Sequence, residues 1–180
     1  MEDMRGTPRE IAVPASILVT LREALTEECG PAAAIRALHA AGQREGGHAA
    51  VSFARGHPDG SASLAQDAFW SRLRVFFSRR GWGDLSMTAA HQAIGLLSST
   101  DWAEAAQGGP GSDPSCAFTT GFLSGFLSHV AGWPVTVSEV TCTARGDDAC
   151  TFAFGSEAAV NDLGTRLSEG AALADALATL

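Results

Sequence analysis

The run from Val135 to Phe154 limits the possible fold more than any other part of the chain. Two strand-like segments, Val135–Cys142 and Cys150–Phe154, flank Arg145-Gly146-Asp147-Asp148. Strand-forming runs on either side of a Gly/Asp turn predict an antiparallel hairpin. If the hairpin turns about Gly146, residues equidistant from that glycine face each other, so Cys142 and Cys150 become cross-strand neighbours. Directly opposed Cβ atoms lie about 4.5–5.5 Å apart, and two thiolates on one tetrahedral zinc need sulfurs about 4 Å apart. The spacing suits a shared metal. Glu139 lies three residues before Cys142, so on a regular strand it would point to the opposite face. Bringing it to the same site requires a bulge near Val140-Thr141. A fourth candidate is Cys116, at the start of a helix, where terminal N–H groups favour a thiolate. The residues alone leave three readings open: small buried side chains, a Cys142–Cys150 disulfide, or a metal site.

Upstream of the hairpin the periodicity is mostly helical. Residues 1–13 have none and read as an arm. Ile17, Leu18, Leu21, Leu25 and Cys29 recur at spacings of three and four until Gly30-Pro31, which predicts an amphipathic helix with Cys29 on its packed side. A second helix carries Ile35 and Leu38 from Pro31 to Gly42. Gly46-Gly47 then predicts a turn before an alanine-rich segment that reaches Phe53. Arg55–Gly60 reads as a loop. Leu64, Ala68, Phe69, Leu73, Phe76 and Phe77 form one face of a further helix ending near Arg80-Gly81. The period then changes to two: Leu85, Met87 and Ala89, followed by Ile94, Leu96 and Ser98, predict an antiparallel pair. Gln107–Pro114 reads as a surface loop in which Ser112 or Asp113 caps a helix from about Ser115 to Ala131. Ser156 caps a last helix running through Val160, Leu163, Leu167, Leu173 and Leu177. The expected class is α+β, an antiparallel sheet packed against helices, with residues 14–180 as a single domain.

Composition removes several function classes. Twelve basic residues, all Arg, against twenty acidic ones give a net charge of −8, which disfavours direct nucleic-acid binding. With no Lys and no Tyr, Schiff-base lysine chemistry and tyrosine acid–base chemistry are unavailable. The five histidines are scattered, with no triad spacing, and no nicotinamide or flavin fingerprint occurs. The charged start MEDMRGTPRE is unlike a secretory signal, and the most apolar stretch, Ala117–Val130, is too short and polar to span a bilayer. A cytoplasmic protein, without membrane or nucleic-acid partners, is the expectation.

Several segments together carry a family resemblance. They are Gly81-Trp-Gly83, Ser99-Thr-Asp-Trp102-Ala-Glu104, Cys116 with Gly121 and Gly125, Glu139-Val-Thr-Cys142, and Gly146-Asp-Asp-Ala-Cys150-Thr-Phe152. Over roughly residues 14–160, with its core at 81–155, the chain resembles the 4-vinyl reductase domain family, also described as hydrocarbon-binding. That resemblance extends to the sensor domains of bacterial phenol-responsive regulators and to transport-particle (TRAPP) trafficking subunits. It implies a fold with an apolar pocket between sheet and helices. In the phenol sensors a Cys, a Glu and two further Cys bind zinc, and Cys116, Glu139, Cys142 and Cys150 match that order at intervals of 23, 3 and 8. A site closed by four protein ligands is structural, because a catalytic zinc keeps an open position.

The resemblance also implies a ligand. Aromatic side chains suited to line a pocket for an apolar or aromatic small molecule include Phe69, Trp70, Phe77, Trp102, Phe122 and Phe126. The phenol sensors hold the phenolic hydroxyl with a His and a Trp, which makes His91, His129 and Trp102 the candidates here. The expected role is a sensor or carrier rather than an enzyme, and a homodimer. Two alternatives stay open: an enzyme or accessory in vinyl-group reduction of chlorophyll precursors, and an interaction subunit without ligand.

Overall fold

The structure, a computed structural model, describes residues 10–55, 66–106 and 116–180. The loops expected at 56–60 and 107–114, the caps at Ser112 and Asp113, and Leu64 fall outside the described residues. Among the described residues, seven α-helices and four strands follow in the order α1 (Ser16–Cys29), α2 (Pro31–Arg55), α3 (Gln66–Ser78), β1 (Ser86–His91), β2 (Ile94–Ser99), α4 (Ala103–Ala106), α5 (Ala117–Ala131), β3 (Thr136–Thr141), β4 (Cys150–Gly155), α6 (Glu157–Ser168) and α7 (Leu173–Ala178). A 3-10 turn, Thr143–Arg145, separates β3 from β4. The strands form one antiparallel sheet in the order β1-β2-β4-β3, so the α+β class is observed.

Strand alternation divides the interior in two. Leu97, Val137, Cys150 and Phe152 point into the larger core, which they share with Phe53 of α2, Leu73, Phe76 and Phe77 of α3, and Leu123, Phe126 and Leu127 of α5. Ile94 and Ala153 point to the opposite face and pack with Val160 and Leu163 of α6 and Ala176 and Leu177 of α7. No helix among the described residues is long and apolar enough to cross a membrane.

Three expectations need correction. Gly42 and Gly46 do not interrupt a helix; α2 runs unbroken from Pro31 to Arg55. The two glycines are where α2 meets α5: a Cβ on Gly42 would lie 2.1 Å from the Phe118 carbonyl oxygen, and one on Gly46 would lie 2.0 Å from that of Phe122. Reciprocally, a Cβ on Gly121 or Gly125 would lie 2.0 Å from the carbonyl oxygen of His39 or Gln43. Two four-residue glycine spacings thus let the backbones of two helices touch. Secondly, the last helix is two helices, α6 and α7, because Gly170 adopts a left-handed φ of 92° that ends the first. Finally, Cys29 is exposed, its Sγ donating to the Leu25 carbonyl at 3.0 Å. No residue of α1 is fully buried, and Ile17 and Leu21 on its apolar side are 40% and 45% exposed.

Candidate functional site

The hairpin is built as its sequence requires. Glu139 pairs with Phe152 and Thr141 with Thr151, so the β3–β4 register shifts at Val140. This is the bulge needed to put Glu139 and Cys142 on one side of the sheet. The 3-10 turn then folds back: Asp147 Oδ2 accepts the Cys142 N–H at 2.7 Å and is held by Arg145 at 3.0 Å, while Arg145 also donates to the Val140 carbonyl at 3.0 Å. The Cys142 N–H and the Arg145 guanidinium hold the Asp147 carboxyl below its ordinary range. Cys116 arrives from the other side as the N-cap of α5.

The result is a cluster in which one ligand-type atom from each of Cys116, Glu139, Cys142 and Cys150 lies within 4.8 Å of all the others. The three sulfurs belong to fully buried residues, and none of the four described cysteines forms a disulfide. One Glu139 oxygen accepts the Cys116 N–H at 3.1 Å; the other is buried with no hydrogen-bond partner. A buried carboxylate oxygen left in this state costs roughly 1–3 kcal/mol or more, so a cation is the partner it lacks. The Thr143 N–H at 3.5 Å and hydroxyl at 3.4 Å both approach Cys150 Sγ, which favours its thiolate.

The proton affinities agree with that reading. Hydrogen bonding to Cys142 and Cys150, together with burial, raises the Cys116 thiol far above its usual range. Burial pushes Glu139 up to about 8. Cys150 moves down because Cys116 hydrogen-bonds to it. One thiolate is thus solvated by its neighbours' protons, and further ionisation is opposed by crowding. A divalent cation reverses this balance, since soft thiolates and a carboxylate in a tetrahedral-sized cluster suit zinc. The donor set fits a metal ion.

A second polar unit fixes the end of α5 that carries Cys116. Glu104, 4% exposed, accepts the Phe118 and Thr119 N–H groups at 3.0 and 2.8 Å and the Thr119 hydroxyl at 2.5 Å. Thr119 in turn accepts the Trp102 indole N–H at 2.8 Å. Residues 99–156 match the 4-vinyl reductase domain. The matched segment contains all four clustered residues, Trp102, Glu104 and Thr119, and the resemblance to the 4-vinyl reductase family is established over it.

Among relatives of this vinyl reductase segment, an uncharacterized protein from Methanocaldococcus jannaschii is 30% identical over 83 residues, 46% of this chain and 44% of that protein. The chain therefore spans less than half the length of the curated relative it matches. Among solved structures, the phenol-responsive sensory domain of the transcription activator PoxR, crystallised with phenol, superposes with a TM-score of 0.73 at 18% identity, covering 93% of this chain and 84% of that one. A vinyl-4-reductase family protein from M. jannaschii gives 0.55 at 16%, covering 81% and 83%. A trafficking protein particle complex subunit 3 from Naegleria fowleri, covalently bound to palmitic acid, gives 0.59 at 16%, covering 78% and 93%. The fold is that of these proteins.

The expected pocket residues separate into two groups. Phe77, Trp102, Phe122 and Phe126 are buried together: Phe77 lies 5.6 Å from Trp102, 5.7 Å from Phe122 and 6.2 Å from Phe126 between ring centroids. Phe69 and Trp70 pack at 4.8 Å against the same core, and Trp70 reaches Phe154 at 5.5 Å. The two histidines lie elsewhere. His91 closes β1 at the turn, its Nδ1 accepting the Ala93 N–H at 3.2 Å, and His129 is exposed in the last turn of α5. Trp102 has committed its N–H to Thr119. The indole N–H of Trp70 is buried with no hydrogen-bond partner. Sequence reasoning includes Trp70 as lining but misses it as a polar anchor, and no signal in the sequence separates its N–H from that of Trp102.

Proposed function

We propose that this chain is a small-molecule-binding module, a sensor or carrier for an uncharged apolar or aromatic compound, folded around a structural zinc held by Cys116, Glu139, Cys142 and Cys150. The observation that carries the ligand reading is the orphaned indole of Trp70. Its N–H lies in an aromatic setting with Phe69 and Phe154. A buried donor without an acceptor costs roughly 1–3 kcal/mol, and a ligand hydroxyl or carbonyl offsets that cost. The ring of Phe154 occupies the space over Gly95, where a Cβ would meet it at 2.2 Å, so ring rotation of Phe154 is the motion that admits a ligand beside Trp70. Phe77, Trp102, Phe122 and Phe126 supply the apolar wall behind. PoxR's phenol and the trafficking subunit's palmitic acid belong to those proteins; an aromatic compound with one hydroxyl fits the single donor here.

The test pairs metal analysis with thermal shift. Protein purified without added metal should contain close to one zinc per chain. Phenol and alkylphenols should raise the unfolding temperature, and the Trp70→Phe variant, which keeps the ring but removes the N–H, should lose most of that rise while keeping its zinc. No stabilisation of the wild type by any phenol, alkylbenzene or fatty acid would end the ligand reading, whatever the metal content.

The reading includes a single domain over residues 14–180 with an N-terminal arm, and a cytoplasmic setting, in which three clustered thiols escape oxidation. It also includes a homodimer. Ile17 and Leu21 on α1, Ile35 on α2, and Ile11 and Val13 ahead of α1 are all exposed large apolar side chains, which a second copy would cover. Sedimentation equilibrium should return about twice the monomer mass, and a monomer at high micromolar concentration would refute the pairing.

A further inference from the structure

On the far side of α3 from the aromatic core, a cleft of about 260 Å³ opens between α3 and the last turns of α2. Its lining includes the rings of Phe53 and Phe76 and three arginines, Arg72, Arg79 and Arg80. In a chain of net charge −8 with twelve arginines, three converging on one small concavity is a local reversal of sign. Their geometry is specific. The Arg72 guanidinium lies 4.6 Å over the Phe53 ring and donates one Nη2 bond to the Phe53 carbonyl at 2.6 Å, but its Nη1 is buried with no hydrogen-bond partner. Arg80 lies 3.7 Å over the Phe76 ring, donates to the Phe76 carbonyl at 3.0 Å, and holds the Glu10 carboxylate at 2.8 Å. Arg79, between them, is exposed.

We propose that this cleft binds the carboxylate of a small organic acid whose apolar or aromatic body rests on Phe53 and Phe76. A buried guanidinium nitrogen requires an acceptor, and the planar fork of Arg matches the two oxygens of a carboxylate. Stacking fixes both Arg72 and Arg80 on rings, so the donors are already oriented and little side-chain entropy is lost when an anion arrives. The Glu10 carboxylate on Arg80 is this chain's own example of the same recognition at the rim. The apolar floor selects against a bare inorganic anion, because such an ion gains nothing from Phe53 and Phe76 and loses hydration. This site is independent of the internal ligand proposed above, which is uncharged and lies on the other face of α3.

The experiment follows the arginine Nε–Hε cross-peaks of the full chain by NMR at low salt during titration with benzoate, benzyl alcohol or inorganic phosphate. Benzoate should move the Arg72 and Arg79 peaks saturably, and the other two should not at equal concentration. Arg72→Lys, which keeps the charge but not the fork, should weaken benzoate roughly tenfold, the equivalent of one charge-assisted hydrogen bond. Arg79→Gln, at an exposed position that the fold does not depend on, should weaken it about threefold. Unmoved Arg72 and Arg79 peaks with benzoate, equal shifts with phosphate or benzyl alcohol, or wild-type benzoate affinity in Arg79→Gln would each overturn the proposal.

Discussion

Glu104 is the single side chain whose protonation the fold controls most tightly outside the cysteine cluster. Its burial raises its pKa above the ordinary carboxylate range, although the Thr119 hydroxyl and two backbone N–H groups at the start of α5 oppose that rise. A raised folded-state pKa means the native protein holds this proton better than the unfolded chain does. The associated stability is present below the unfolded value of 4.5 and is lost as pH rises through the folded value. Urea unfolding of the wild type and Glu104→Gln across pH 4–8 should therefore show the difference between them drifting in the variant's favour as pH rises. Glu104→Ala should be less stable at every pH, by about 2–4 kcal/mol, because it strands the Phe118 and Thr119 donors in the interior. A pH-independent difference between wild type and Glu104→Gln would show that Glu104 stays ionised throughout. At this scale the sequence is informative about identity and silent about cover. Cys29 falls on the apolar side of its helix by periodicity, yet periodicity says which face is apolar and not whether anything packs on it.

The α2–α5 contact is where elements meet most closely, and four glycines make it possible. Gly46→Ala would drive a methyl to 2.0 Å from the Phe122 carbonyl oxygen, whereas a Cβ on Gly47, one position along the same helix, meets nothing within 4 Å. Two neighbouring and chemically identical substitutions should thus have opposite signs. Gly46→Ala should destabilise by about 1–3 kcal/mol or more through overpacking, and Gly47→Ala should stabilise by up to about 1 kcal/mol from helix propensity alone. Chemical denaturation of the two variants checks this directly, and equal effects would mean that the helices are not in backbone contact. The same glycines explain why α2 is legible only in pieces. Gly42 and Gly46 resemble breaks to any local rule, because the partner that compensates their poor helix propensity, α5, lies more than seventy residues away in sequence. The β3 bulge is legible for the converse reason. Glu139 and Cys142 differ by an odd number on a period-two element, so a common site forces a local irregularity, and the signal for it sits within four residues. The break between α6 and α7 at Gly170 is hidden by a leucine pattern that continues across it.

The cysteine–glutamate cluster joins parts of the molecule that local structure leaves separate: the start of α5, the bulged end of β3, and the first residue of β4. The sheet edge there is short, and its two strands are linked by a turn that places three acidic or thiol groups against one another. Binding a structural zinc to such a set contributes on the order of 10 kcal/mol or more, against a total stability of about 5–15 kcal/mol for an ordinary domain. The first number is comparable to the second, so the metal decides whether the hairpin half is folded. The α2–α5 pair is different, because it is held by glycine packing and the Phe53, Phe122 and Phe126 rings, with no clustered thiol among those contacts. Chelation should therefore remove tertiary structure unevenly. Near-UV circular dichroism from Trp82 and Trp102, which stack at 5.7 Å beside the cluster's half of the core, should collapse, while a large part of the far-UV helical signal persists. Zinc should restore both signals in the wild type and neither in Cys150→Ser. If a strong chelator extracts the metal and the near-UV spectrum is unchanged, the three thiols and Glu139 are packing groups, and the orphaned Glu139 oxygen needs another explanation than an ion.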